Sequence, residues 1–500
     1  MALSPYKQLE LEWKRLHALR GAVSLLRWDA AVMMPRASAS GRGEQLSALE
    51  TECHAVLTSP KVSRLIERAV AGQGSLEEWE IANLREMRRQ CDHAIAMPVS
   101  LLNSLVRATA AAEAAWSEAR QQNKFELFAP YLEEVVRLVR DKAALLGQAR
   151  SLEPYDALVE EFSAGVSSEI IDALFKAYAR RLPGLVRQVI EHQHAAPIMP
   201  LVGTFKARQQ RALISEVLRA IGFPFDRGRI DEASHAFTEG IPGDIRITYC
   251  VSRQDPFIAL LGALHEAGHA LYDLGLPEDW LDQPVGQARG MALEESQSLL
   301  LEMILGRSRA FVRYLRPLLE KHFGVIGPEW SEDNLYRQLT RVRRSAIRVD
   351  ADELTYPLHV MLRFDLERRM LAGTLAVRDL REAWNEGMRQ RLDLVPASDA
   401  DGVLQDAHWA SGSFGYFPLY VVGGAIAAQL SEQMRRDLPQ LDEQITAGDF
   451  SGLRAWLREA VHSQGARLPM AQLMESATGK PLGSTSALRY LERKYLETAA

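Results

Sequence analysis

The stretch DPFIALLGALHEAGHALYDLG, residues 255–275, decides how the rest of the chain is read. Asp255 is a capping residue followed by Pro256 at the first helical position, and Gly275 with Pro277 closes the pattern, so the apolar residues between them predict a helix. Residues four apart share one helix face, which aims the imidazoles of His265 and His269 at a single point with Glu266 beside them. Chance rarely places a Glu next to such a pair when a chain of 500 residues holds only 12 histidines. Gly268 adds a second hint. A glycine inside a helix costs about 1 kcal/mol relative to alanine and persists where something approaches closely.

His-Glu-x-x-His on a helix is the arrangement in which zinc peptidases bind their metal and place a carboxylate next to the water that attacks the substrate. A catalytic zinc takes a third protein ligand and leaves one position open. Downstream, Gln287 to Leu305 reads as a helix ending at Gly306, and a helical hairpin across the Leu276 to Gly286 turn returns it beside the first. Glu294 and Glu295 both lie on that helix, and spacing permits ligation by either.

Outward from this pair, apolar residues recur at spacings of three and four among Ala, Leu, Glu and Arg, as in Ala108 to Arg120 and Tyr131 to Leu146. The fold class is therefore mainly α. The clearest exception is Ile245 to Val251, where apolar side chains alternate between Pro242-Gly243 and Asp255-Pro256, a short strand just before the metal helix. Its edge is a candidate for pairing with an extended peptide. No linker, low-complexity tract or internal repeat marks a boundary, so residues 1–500 read as a single domain.

Composition narrows the function. A net charge of −6 offers no electropositive field for nucleic acid. No apolar stretch approaches the roughly 20 residues needed to span a bilayer; the longest candidate, Leu419 to Leu430, is interrupted by Gly423 and Gly424. The N-terminal residues mix charged and apolar side chains at helical spacing, unlike a signal peptide. The 3 cysteines, Cys53, Cys91 and Cys250, are far apart and form no CxxC pair, which fits a reducing cytoplasm.

Four segments, His265-Glu-Ala-Gly-His269, Glu295-Ser-Gln-Ser298, Ile347-Arg-Val-Asp-Ala-Asp352 and Gly402-Val-Leu-Gln-Asp-Ala-His-Trp409, resemble in order and interval the carboxypeptidase Taq family of metallocarboxypeptidases. The likeness runs from Trp28-Asp29 and Met34-Pro35, through Gly306-Arg-Ser308 and Ala351-Asp-Glu-Leu-Thr-Tyr356, to Gly415-Tyr-Phe-Pro-Leu-Tyr420. The resemblance implies one large, mostly helical, saddle-like body with a deep groove, a homodimer, and one zinc or cobalt ion that serves to release C-terminal residues with broad specificity. It also implies His265, His269 and Glu295 as ligands, Glu266 as acid and base, and Arg348, Gln405 and His408 as groups that hold the substrate. The chain departs from the family, which usually has histidine at Glu294, arginine at Cys250, proline at Ala236, and Tyr-Glu-Pro-Gly at Phe162-Ser-Ala-Gly165.

Recognition of a free C-terminus calls for a planar, always charged guanidinium, for which the resemblance nominates Arg348. Among the imidazole and phenol groups from His408 to Tyr420, His408 and Tyr420 are the leading donors to a developing oxyanion. The expected substrates are short peptides with a free C-terminus. Two other readings use the same residues. Glu266-Ala-Gly-His269, Glu232-Ala-Ser-His235 and Glu459-Ala-Val-His462 are Glu-x-x-His elements of the kind found in dinuclear carboxylate bundles. A helical scaffold with a decayed site is the non-enzymatic alternative.

Overall fold

The computed structural model of the chain describes residues 3–195 and 197–497. Four helices come first: α1 (Pro5–Val32), α2 (Ala39–Leu57), α3 (Pro60–Ala71) and α4 (Glu78–Ala96). Tyr6, Leu9, Trp13 and Leu16 recur along one face of α1 and close a small apolar core with Leu65, Leu84 and Met87. A much larger core begins with α5 (Val99–Gln122), α6 (Phe125–Arg150), α7 (Pro154–Phe162), α8 (Ser168–His194) and α9 (Ala207–Ile221). The amphipathic stretches read from the sequence, Ala108 to Arg120 and Tyr131 to Leu146, lie inside α5 and α6.

A small sheet follows, of β1 (Gly228–Glu232), β2 (Thr238–Ile241) and β3 (Asp244–Tyr249) in the order β1-β3-β2. Ile245, Ile247 and Tyr249 alternate into the core as the sequence suggested. The Pro242-Gly243 turn, with Gly243 at φ 102°, folds β2 back on β3. This arrangement corrects the expectation that β3 offers an edge to a peptide. β1 pairs with it in parallel on one side and β2 antiparallel on the other, so β3 is the central strand and its backbone groups are taken.

Next comes the metal helix α10 (Pro256–Gly275), with the boundaries anticipated. The Asp255 carboxylate accepts the Phe257 N–H at 2.8 Å and caps it. Short turns at Glu278–Trp280 and Pro284–Gly286 reverse the chain into α11 (Met291–Leu299), which continues as a π-helix over Leu300–Leu305. α11 starts later than Gln287 because Gly290, at φ 122°, ends the loop. A Cβ on Gly268 would lie 2.5 Å from the Gln297 carbonyl oxygen, and one on Gly423 would lie 2.9 Å from the Glu295 Cβ. The helical glycine noted in the sequence therefore marks the close approach of α10 to α11.

The chain continues through α12 (Arg309–Phe323), α13 (Glu332–Leu339), α14 (Tyr356–Leu371) and α15 (Leu380–Leu392). It ends with α16 (Phe417–Asp437), α17 (Leu441–Thr446), α18 (Ser451–Ala460), α19 (Met470–Thr478) and α20 (Thr485–Glu492). α16 packs on α11 where Gly423 meets Ala292 and Glu295, while α10 meets it where Gly268 approaches Gln297 and Ser298, so the Glu295 helix contacts both. The architecture is mainly α with one small sheet. No single described helix is long and apolar enough to cross a membrane.

Candidate metal centre

α10 turns His265 and His269 to the same side, with ring centroids 5.2 Å apart. Glu295, buried on α11, faces them: its Oε1 lies 3.8 Å from His265 Nε2 and its Oε2 3.9 Å from His269 Nε2. Both separations exceed hydrogen-bond range. One ligand atom from each of the three residues lies within 4.8 Å of the others. Bonds of roughly 2.0–2.2 Å to a tetrahedral ion set its ligand atoms about 3.4 Å apart, so two imidazoles and a carboxylate at this spacing fit one divalent cation. Of the two glutamates the sequence left open, Glu295 joins the histidines. Glu294 points elsewhere on α11, where burial raises its carboxyl pKa. With burial, Glu294 also pushes Asp273 up to about 8.

The surrounding charge supports the same reading. His265 Nδ1 stands 3.0 Å from Glu302 Oε2, which fixes the tautomer with Nε2 turned to the ligand cluster. Glu302 is tied in turn to Arg307 at 3.0 Å. Burial lowers the His265 pKa, but Glu295, Glu302 and Glu266 overcome it and raise it to about 10, so these carboxylates favour positive charge at the point the imidazoles face. Burial raises the Glu266 pKa, opposed by His265 and by the Thr238 hydroxyl. That hydroxyl, from β2, donates to Glu266 Oε2 at 2.7 Å and aims the carboxylate.

A second buried charge cluster stands beside the first. Arg348, in a short turn over Arg348–Asp350, is 6% exposed, which removes it from the class of ordinary surface charges. Its Nε and Nη2 donate to Asp406 Oδ1 at 3.0 and 2.9 Å, and its Nη1 donates to the Tyr356 phenol at 2.7 Å. One N–H on each Nη is left over. Arg363 donates to the other Asp406 oxygen from Nε at 2.7 Å. Burial works against the Asp406 charge, but Arg363 and Arg348 overcome it and hold its pKa well below the usual carboxylate range.

Gln405 accepts from the Arg348 backbone N–H at 2.7 Å and from Arg363 Nη2 at 2.8 Å, and it donates to Ala346 and Asp401 carbonyls at 3.0 and 2.7 Å. The Gln405 amide is thus fully engaged within the chain, against the Arg348 backbone, Arg363 and two carbonyls. The His408 ring packs 4.4 Å from Phe417, and burial with Arg348 lowers its pKa to about 4, so the imidazole is neutral. Tyr420 lies between Tyr416 and Tyr356, with ring centroids 5.4 and 6.0 Å away, and its ring centroid is 5.5 Å from the Arg348 guanidinium carbon. Burial and the neighbouring phenols keep Tyr420 protonated. Burial, opposed by His265 and reinforced by Glu302 and Glu266, raises the Glu295 pKa to about 7, with Arg348 a smaller opposing influence.

The sequence pattern of the carboxypeptidase Taq (M32) metallopeptidase family matches residues 8–495. The chain belongs to that family. It is similar to thermostable carboxypeptidase 1 of Pyrococcus furiosus, with 33% identity over 98% of each chain. Among solved structures, Trypanosoma cruzi metallocarboxypeptidase 1 superposes with a TM-score of 0.97 at 36% identity, over 99% of this chain and 100% of that one. The M32 carboxypeptidase of Deinococcus radiodurans gives 0.93 at 35% identity, over 99% of both chains. Membership makes this chain a metal-dependent peptidase, a hydrolase.

The two clusters of the M32 chain also bring in residues that the sequence analysis gave no part. Glu302 lies seven residues after Glu295, two helical turns on, so an i, i+7 search along the predicted helix would have found it. Asp406 and Tyr356 sat inside quoted motifs without a role. Thr238 lies in a separate strand and left no signal of its own. The further Glu-x-x-His elements do not converge on the metal centre. Glu232 ends β1 and is not on a helix. His462 is buried in a turn after α18, 3.0 Å from the Gln297 amide oxygen. The Phe162 departure packs edge-on against Tyr416 at 5.1 Å, and Cys250 is half-buried with its thiol pKa raised by burial.

Proposed function

We propose that the protein is a cytoplasmic, homodimeric carboxypeptidase that releases C-terminal residues from short peptides with broad specificity, using one zinc ion, with cobalt as the alternative. The observation that carries this reading is the convergence of His265, His269 and Glu295 within 4.8 Å, with Glu266 adjoining His265. His265, His269 and Glu295 would hold a divalent cation, which would supply Lewis acidity toward the scissile carbonyl and the attacking water. Glu266, aimed by Thr238, takes the proton of the attacking water and returns it to the leaving amine. Its pKa, raised by burial, suits a carboxylate that must accept a proton before passing it on.

Arg348 holds the terminal carboxylate through the N–H groups that Asp406 and Tyr356 leave over, and a lysine could not reproduce this fork. Tyr420 and neutral His408 supply donors to the carbonyl oxygen as negative charge develops on it. Gln405 and Asp406 fix Arg348 and so set the distance between the terminal carboxylate and the scissile bond.

Mass-spectrometric analysis of an unblocked peptide and its C-terminally amidated twin tests the proposal. Stepwise loss of C-terminal residues from the free acid alone is expected. Equal cleavage of the amidated twin would make the enzyme an endopeptidase or aminopeptidase and remove Arg348 from its role.

A further inference from the structure

Between α4, the turn from α6 into α7 and the loop before α11 lies a cleft of 770 Å³ that shares no residue with the metal centre or the Arg348 cluster. Arg85, Arg88, Arg89, Arg150 and Arg289 line it. Its three acids are already paired. Glu86 accepts from Arg85, Arg89 and Arg289 at 3.2, 2.7 and 3.0 Å. Glu160 accepts from Arg150 at 3.1 Å and from the Gly165 N–H at 2.8 Å, and Asp92 stands 3.7 Å from Arg88. Five positive charges against three negative leave a formal +2 in the cleft.

Two guanidinium groups there are incompletely used. Arg289 is 7% exposed and its buried Nε meets no partner among the described residues, and the same holds for the buried Nη1 of Arg150. Buried donors are normally paired, so two orphaned guanidinium nitrogens in one electropositive cleft point to an acceptor from outside the chain. Val70, Ile81, Leu84 and Pro469 add an apolar part to the lining, beside the polar Gln73 and Ser151. Such a lining accommodates a carbon skeleton next to the charged group.

We propose that this cleft binds a small organic anion whose phosphate or carboxylate oxygens accept from Arg150 Nη1 and Arg289 Nε while its apolar part lies on Val70, Leu84 and Pro469. The site is coupled to the metal centre by the backbone: the Arg289 N–H donates to the Tyr272 phenol of α10 at 3.1 Å, and α11 with Glu295 begins just after Gly290. An anion seated there braces the loop from which the Glu295 helix starts.

Calorimetric titration of the metal-loaded enzyme with phenyl phosphate and with tricarballylate tests the site and separates its two chemistries. Saturable binding of at least one probe is expected, weakening with salt. It should fall about ten-fold in Arg150→Gln, the loss of one charge-assisted hydrogen bond, with kcat and KM for a neutral peptide unchanged. Arg289→Lys, which keeps the charge on Glu86 but removes the planar Nε donor, should give a similar loss. The probe that binds more tightly identifies phosphate or carboxylate as the native group. Absence of saturable binding to wild type at millimolar concentrations would overturn the proposal. So would binding unchanged in Arg150→Gln and competitive with peptide hydrolysis, which would place the anion on the metal.

Discussion

The metal centre and the Arg348–Asp406 cluster are neighbouring buried charge clusters, and they differ in what each leaves over. In the first, Glu295 and the two histidines face one another at 3.8 and 3.9 Å without bonding. In the second, Asp406 is shared by two guanidiniums and Gln405 has every donor and acceptor engaged. A cluster whose groups converge without satisfying each other is arranged around something from outside. A closed cluster fixes geometry and presents only a remnant, here one N–H on each Arg348 Nη, to the substrate.

Chelation breaks the open cluster outright, and the contrast predicts that it abolishes hydrolysis, with zinc or cobalt restoring it in a peptide-release assay. Glu266→Gln should retain metal and lose about 10²- to 10⁴-fold in kcat, since only the proton acceptor is removed. On the closed side, Asp406→Ala leaves two buried guanidiniums without their shared counter-charge and should cost about 3–5 kcal/mol in urea denaturation. Glu295→Gln, measured the same way on metal-free protein, should cost far less, because that carboxylate has no hydrogen-bonded ion partner to lose. The Asp406 pKa is held below its unfolded value, so its stabilisation is complete at neutral pH. It declines only as pH falls below about 4 toward the folded pKa.

Smaller effects sharpen the same boundary. Glu302→Gln, which loosens the grip on His265 Nδ1, should weaken metal affinity about 10- to 100-fold by competition with a chelating dye. Thr238→Val should lower kcat by about ten-fold or less with metal content unchanged, the loss of one hydrogen bond that aims Glu266.

The two clusters were unequally legible in the sequence. His265, Glu266 and His269 fall within one helical turn, so helix periodicity alone brings them together, and the Asp255-Pro256 cap and the Gly268 contact with α11 were readable for the same local reason. Glu295 needed a second helix whose rotation spacing does not fix, which is why Glu294 remained a rival until the family resemblance chose Glu295. Arg348 and Asp406 are 58 residues apart and joined only by tertiary packing. Periodicity is silent at that range, and only family resemblance drew attention to the segments. The β3 edge was misjudged because β1, Gly-Arg-Ile-Asp-Glu, is too short and polar to announce itself as a strand.

The central claim is that the open cluster takes one divalent cation through His265, His269 and Glu295. Elemental analysis of metal per chain, in wild type and in Glu295→Ala after dialysis against trace zinc, tests it most directly. One equivalent in wild type and close to none in the variant is the predicted result; two equivalents in wild type, or a variant that keeps its metal, would contradict it.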